Sequence, residues 1–176
     1  MIRTAALALL LASAAPAALA QTSQAHTPLP APTSLSRPLP PIPAPQDVDY
    51  PGTIGIRVDL TDLAHKIVRT RQTIPVRPGA LVLQYPKFLP GNHADTGPIQ
   101  LVSGLTVTSN GQRIEWVRDT VDPYAFHLDI PAGVETIDVA FEWLTQPTNA
   151  NWRVVMTDEI VNLQWEKALL YPAGYN

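Results

Sequence analysis

The sequence contains no cysteine among its 176 residues. That excludes a disulfide scaffold, a thiolate zinc centre, a cysteine nucleophile and a lipid-modified cysteine behind a leader. Basic residues are few and scattered: 12 Lys and Arg stand against 15 Asp and Glu, for a formal charge of −3. Without a basic cluster the chain lacks the electrostatic footprint of a nucleic-acid binder. The phosphate-cradling P-loop, the GxSxG nucleophile elbow, the dinucleotide fingerprint GxGxxG and the zinc motif HExxH are all missing. There is no Asn-X-Ser/Thr acceptor, and no window of a dozen residues carries a convincing apolar stripe of helical period. The apolar run at the amino terminus, Thr4 to Ala12, is shorter than the ~20 residues a bilayer demands.

That short run is instead the centre of a predicted signal peptide, residues 1–20. Arg3 supplies the positive start, and Ala18-Leu19-Ala20 places small residues at both positions that a signal peptidase reads. Cleavage after Ala20 would export a chain beginning at Gln21 to the periplasm or the extracellular medium. Export and leader removal leave no membrane partner. Proline is the one abundant oddity, with 19 in the chain, about twice the usual share. Nine of them, from Pro28 to Pro51, punctuate a stretch of Ala, Ser and Thr. Prolines cannot donate to a ladder and favour extended polyproline conformation, so residues 21–50 are expected to form a disordered tether.

After Pro51 the dominant period becomes two. Ile54, Ile56, Val58 and Leu60 alternate with polar or small residues, and the same pattern returns at Leu105 and Val107 and at Ile114 and Trp116. It continues at Tyr124, Phe126, Leu128 and Ile130, at Ile137, Val139, Phe141 and Trp143, and at Val161, Leu163 and Trp165. Alternation of this kind marks half-buried strands. Asn110-Gly111 lies between two such runs and is the strongest short hairpin signal. A second hairpin near Thr61-Asp62-Leu63 leads into a strand from about His65 to Val76. The nearly continuous apolar run Ala80 to Tyr85 suits a strand covered on both faces. The expected fold for residues 51–176 is all-β, an antiparallel β-sandwich-like domain.

Candidate chemistry is sparse. Of the four histidines, His26 lies in the tether, and His65, His93 and His127 have none of the close spacing that puts two ligands on one helix. Asp59 with Asp62, and Asp119 with Asp122, flank predicted turns, where Asp bonds to nearby backbone. No catalytic residue and no metal ligand is therefore assigned. The most unusual segment is Tyr85-Pro86-Lys87-Phe88-Leu89-Pro90-Gly91-Asn92-His93. A hydrophobic strand runs into a Pro-Gly turn followed by two polar side chains, the form of a binding loop carried on a rigid sheet. Pro90, Gly91, Asn92 and His93 are the candidate residues for a cleft or a domain interface. Capping of a strand end is the competing structural explanation.

Four segments together identify a resemblance: VDLTDLAHKIVRTRQTIPV (58–76), YPKFLPGNHADTGPI (85–99), SNGQRIEWVRDTVDPYAFHLDIPAG (109–133) and LQWEKALLYPAGYN (163–176). In this order they resemble the amino-terminal region of the glycyl aminopeptidase family, metallopeptidase family 61. The resemblance covers about 51–176. It implies a β-rich front domain followed by a thermolysin-like zinc domain bearing HExxH, and usually by a PDZ domain. None of that family's zinc ligands has a counterpart here, so the resemblance implies no cofactor in this chain and zinc in a catalytic domain beyond it. It also implies a downstream catalytic domain as partner, with peptide substrate at a shared cleft. Leu169, Leu170 and Tyr171 are expected to contribute an apolar patch that such a domain would cover. From the residues alone, a stand-alone exported sandwich binding peptide or glycan, and a structural domain of the cell envelope, stay open.

Overall fold

A computed structural model describes residues 38–91, 93–145 and 155–175. The predicted signal peptide, most of the predicted tether and Asn92 lie outside the described residues. Eleven strands are described: β1 (Gly55–Asp59), β2 (Ile67–Pro75), β3 (Gly79–Gln84), β4 (Val102–Ser109), β5 (Gln112–Arg113), β6 (Trp116–Arg118), β7 (Ala125–Ile130), β8 (Thr136–Leu144), β9 (Val155–Met156), β10 (Val161–Asn162) and β11 (Tyr171–Pro172). The described helix is confined to 3-10 turns at Ile99–Leu101 and Trp165–Ala168. None is long and apolar enough to cross a membrane. The fold is all-β, in antiparallel sheets.

One sheet has five strands in the order β1-β2-β8-β4-β5, and a second has four in the order β11-β3-β7-β6. Their inner faces share one core. Ile74, Val107, Ile137, Val139 and Phe141 come from the first sheet and Leu83, Phe126, Leu128 and Ile130 from the second, all nearly or fully buried. Alternation explains this directly: successive residues of a strand point to opposite faces, so β8 buries Ile137, Val139, Phe141 and Trp143 and turns Thr136, Asp138, Ala140 and Glu142 outward. Truncating fully buried Phe126 to Ala is worth about 3–5 kcal/mol. The far end of the five-stranded sheet has its own core, where Val68 and Trp143 meet Met156 of the small β9–β10 hairpin and Leu163.

Turn chemistry falls where local rules put it. Asn110 and Gly111 form a two-residue loop between Ser109 and Gln112, both with positive φ (49° and 76°). Only residues tolerant of the left-handed region serve there. β3 is covered on both faces at Val82 and Leu83, although Ala80 is exposed.

Two expectations change. The alternation at Val161, Leu163 and Trp165 is not one buried strand: β10 stops at Asn162, and Trp165 stands 62% exposed at the start of a 3-10 turn. Period two over five residues is too short a signal to separate a strand from successive turns. The apolar patch expected at Leu169, Leu170 and Tyr171 is not one, because Leu170 is fully buried in the main core. The large exposed hydrophobics nearby in sequence are instead Ile160, Val161 and Trp165. The described part of the proline-rich stretch, residues 38–50, forms no strand or helix and is mostly exposed, with Ile42 and Tyr50 seated on the domain. Leu39 and Ile42 are half-buried, three residues apart, which is the period of a polyproline helix. Ile42 packs against Val82 of β3, Ala125 of β7 and Ala173 in the turn just after β11.

Candidate functional site

The loop between β3 and the 3-10 turn at Ile99 is built as a stapled excursion. At its root, Tyr85 is fully buried and its hydroxyl donates to the Lys167 carbonyl at 3.0 Å. Burial raises the Tyr85 pKa well above that of a free phenol, so the hydroxyl stays a donor. The neck closes where the Lys87 carbonyl accepts N–H bonds from Thr96 at 3.1 Å and Gly97 at 2.8 Å. Tyr124, just ahead of β7, donates its hydroxyl to the Gly97 carbonyl at 3.0 Å. Gly97 itself has no room for a side chain, since a Cβ would sit 1.9 Å from the Pro86 carbonyl oxygen.

A chain of charges runs from this neck into the second sheet. Lys87 Nζ pairs with Asp122 and lies 5.5 Å from the Tyr124 ring centroid. Asp122 also accepts the Tyr124 N–H at 3.1 Å. Asp119 accepts the backbone N–H groups of Val121 and Asp122 at 2.8 and 2.9 Å, and its other oxygen meets His127 Nε2 at 2.8 Å. The N–H groups of Asp122 and Val121, with His127 adding to them, hold the Asp119 carboxyl at about 2. Asp119 is thus ionised near neutrality, and His127 donates through Nε2. His127 is only 6% exposed and sits on β7 opposite Val82 and Val117, so its place on the face away from Phe126 and Leu128 does not make it solvated.

The candidate residues lie at the far end of the same excursion. Leu89 is buried and anchors it, whereas Pro90, Gly91 and His93 are exposed at the tip, beside Phe88 at 68% exposure. His65 is elsewhere, pairing with Asp62 at 2.6 Å on the surface. Among the described residues no group of three or more His, Cys, Asp or Glu side chains is placed to hold a metal ion. What the sequence reading missed is the support: Lys87, Gly97, Asp122 and Tyr124. Tyr124 reads as one more strand position and the Asp pair as turn formers. The turn role of the Asp pair exists, whereas Tyr124 lies in the turn ahead of β7, and the contacts to the loop come from residues 27 and 35 positions away.

Comparisons with known proteins agree with this architecture. The family model described as Peptidase M61 N-terminal domain matches residues 55–176. None of the curated proteins matches. Among solved structures, the chain is similar to an aminopeptidase N family protein from Idiomarina loihiensis, with a TM-score of 0.56 and 16% identity over 68% of this chain. That likeness concerns the fold, and the chain spans only 20% of that structure's length. With the family model covering the whole sandwich from β1 onward, the chain belongs to the Peptidase M61 N-terminal domain family.

Proposed function

We propose that this chain is the non-catalytic amino-terminal β domain of an exported zinc-dependent aminopeptidase, which packs against a thermolysin-like catalytic domain and helps shape its substrate cleft. The observation that carries the reading is the stapled loop 86–98: a rigid neck on a packed sandwich, with an exposed tip of Phe88, Pro90, Gly91 and His93. Pre-organised loops on rigid scaffolds present groups to a partner at low entropic cost. Family membership supports a place in a peptidase, and the fold likeness is to a chain about five times the matched length.

In such an enzyme zinc polarises the scissile carbonyl and activates water, and that chemistry belongs to the catalytic domain. This chain's contribution is walling: closing one end of the cleft so that a free amino terminus fits and a longer chain does not. Exposed Ile160 and Trp165 supply apolar surface for packing against the neighbouring domain. Export rests on the leader sequence, and mature material should begin at Gln21.

The test uses the protein extended through its catalytic domain and assayed on glycyl and alanyl anilides. Chelator-sensitive turnover supports the aminopeptidase reading. His93→Ala and Asn92→Ala should then raise KM with little change in kcat, the mark of lost uniform substrate binding. If only the melting temperature falls, the loop is a strand cap. If the extended protein shows no turnover, the stand-alone binding sandwich takes its place.

A further inference from the structure

Cross-strand register aligns the outer face of the five-stranded sheet into rows. One row runs Asp59, Arg69, Glu142 and Ser103, and its charges are matched, with Arg69 Nε donating to Glu142 at 3.0 Å and its Nη2 to Asp62 at 2.8 Å. The next row runs Arg57, Arg71, Ala140 and Thr106. Here two arginines stand directly opposite each other on neighbouring strands, an arrangement that costs stability when nothing compensates it. Both are exposed, and neither makes an ion pair or hydrogen bond among the described residues. The carboxylates around them are engaged elsewhere. Asp59 accepts from Thr61 at 2.9 and 2.7 Å, Glu142 is held by Arg69, and Asp138 accepts the Thr73 hydroxyl at 3.2 Å.

The third row, Gly55, Thr73, Asp138 and Thr108, completes the floor of an open groove of about 620 Å³. Small side chains keep it open: Gly55 has none, and Ala140 lies at its centre. Two guanidinium forks at one side recognise a carboxylate. Asp138 lies diagonally across from Arg71, about 7 Å away by sheet geometry, with acceptor capacity left for a donor group. An extended dipeptide spans about 7 Å from its amino group to its carboxylate, short enough to lie within the groove.

We propose that this groove binds a short peptide zwitterion by both ends, its carboxylate between Arg57 and Arg71 and its ammonium at Asp138, with Thr73 and Ala140 forming the floor under the peptide between them. The site lies on the opposite sheet from loop 86–98 and does not depend on the role proposed for that loop.

The experiment titrates Gly-Gly, amide-capped Gly-Gly and N-acetyl Gly-Gly into the full 176-residue chain at low ionic strength. Amide shifts are followed by NMR. Gly-Gly should give saturable shifts at residues 55–57, 71–73 and 138–140. Capping its carboxylate, or Arg57→Ala with Arg71→Ala, should weaken binding about tenfold or more. Acetylating its amine, or Asp138→Asn, should weaken it a few-fold. The double arginine variant relieves repulsion and should fold at least as well as the parent. Gly55→Phe retains every charge and should block the groove, because a Cβ there meets only Thr73, at ordinary contact distance. Absence of saturation, equal binding of Gly-Gly and its amide-capped form, or binding unchanged in the arginine variant would each overturn the proposal.

Discussion

Gln72 offers the most demanding test of how the two sheets are joined. It occupies an inward position of β2 and is 2% exposed, between Thr70 and Ile74 in the alternation. Its amide completes a two-way bond with one residue 98 positions away: Nε2 donates to the Leu170 carbonyl at 2.9 Å, and Oε1 accepts the Leu170 N–H at 2.8 Å. Leu170 is fully buried, so water cannot replace either bond. Gln72→Leu keeps most of the volume and orphans one buried donor and one buried acceptor. At about 1–3 kcal/mol for each group left unsatisfied, the loss is about 2–6 kcal/mol. For a domain of this size that lowers Tm by roughly 10–20 °C.

The assay is urea and thermal unfolding followed by tryptophan fluorescence, with an unchanged m value as the sign that only stability moved. His65→Ala is the control, since its ion pair is on the surface with the ring 74% exposed. It should stay within about 0.5 kcal/mol of the parent. Gln72→Glu adds a pH signature. Its carboxylate would face the Leu170 carbonyl in a buried site, so its pKa would rise in the folded state. The variant should therefore gain stability as pH falls through that raised value, and lose it again as pH rises. A Gln72→Leu protein within about 1 kcal/mol of the parent would refute the reasoning, because it would mean Leu170 finds other partners.

Four further outcomes follow from the same contacts. Asp119 has its carboxyl held at about 2, below its unfolded value, so its stabilising contribution should be full above about pH 4 and lost as pH falls toward 2. Acid titration of the parent against Asp119→Asn checks this, and the variant should flatten that limb. Gly97→Ala drives a Cβ against the Pro86 carbonyl, and should raise amide exchange across residues 88–96 by hydrogen-exchange mass spectrometry while the exchange of β7 and β8 holds. Tyr85→Phe removes the buried hydroxyl bond to the Lys167 carbonyl and should cost about 1 kcal/mol in urea unfolding. The purified 176-residue chain, dialysed and analysed for metal, should hold no stoichiometric zinc and hydrolyse no alanyl anilide; one zinc per chain would overturn the non-catalytic assignment.

The strands were legible in the sequence because a strand's signal is local. Period two at Ile137, Val139, Phe141 and Trp143 follows from pleat geometry alone, and so does the turn at Asn110-Gly111, where backbone sterics select the residue type. The four family-like segments were legible for a different reason, as an ordered set of motifs. Residues whose role depends on a distant partner were not. Gln72 looks like a polar intruder in an apolar row until Leu170 arrives against it. Lys87, Asp122 and Tyr124 look like solvated or strand positions until the loop folds back onto them. Arg57 and Arg71 are separate basic residues until the register sets them side by side. Among residues 38–50 the prolines lack the N–H to join a ladder, and no strand forms there. That Ile42 would nonetheless be seated on the second sheet was decided by the tertiary structure, because the apolar patch that receives it is assembled only when Val82, Ala125 and Ala173 come together.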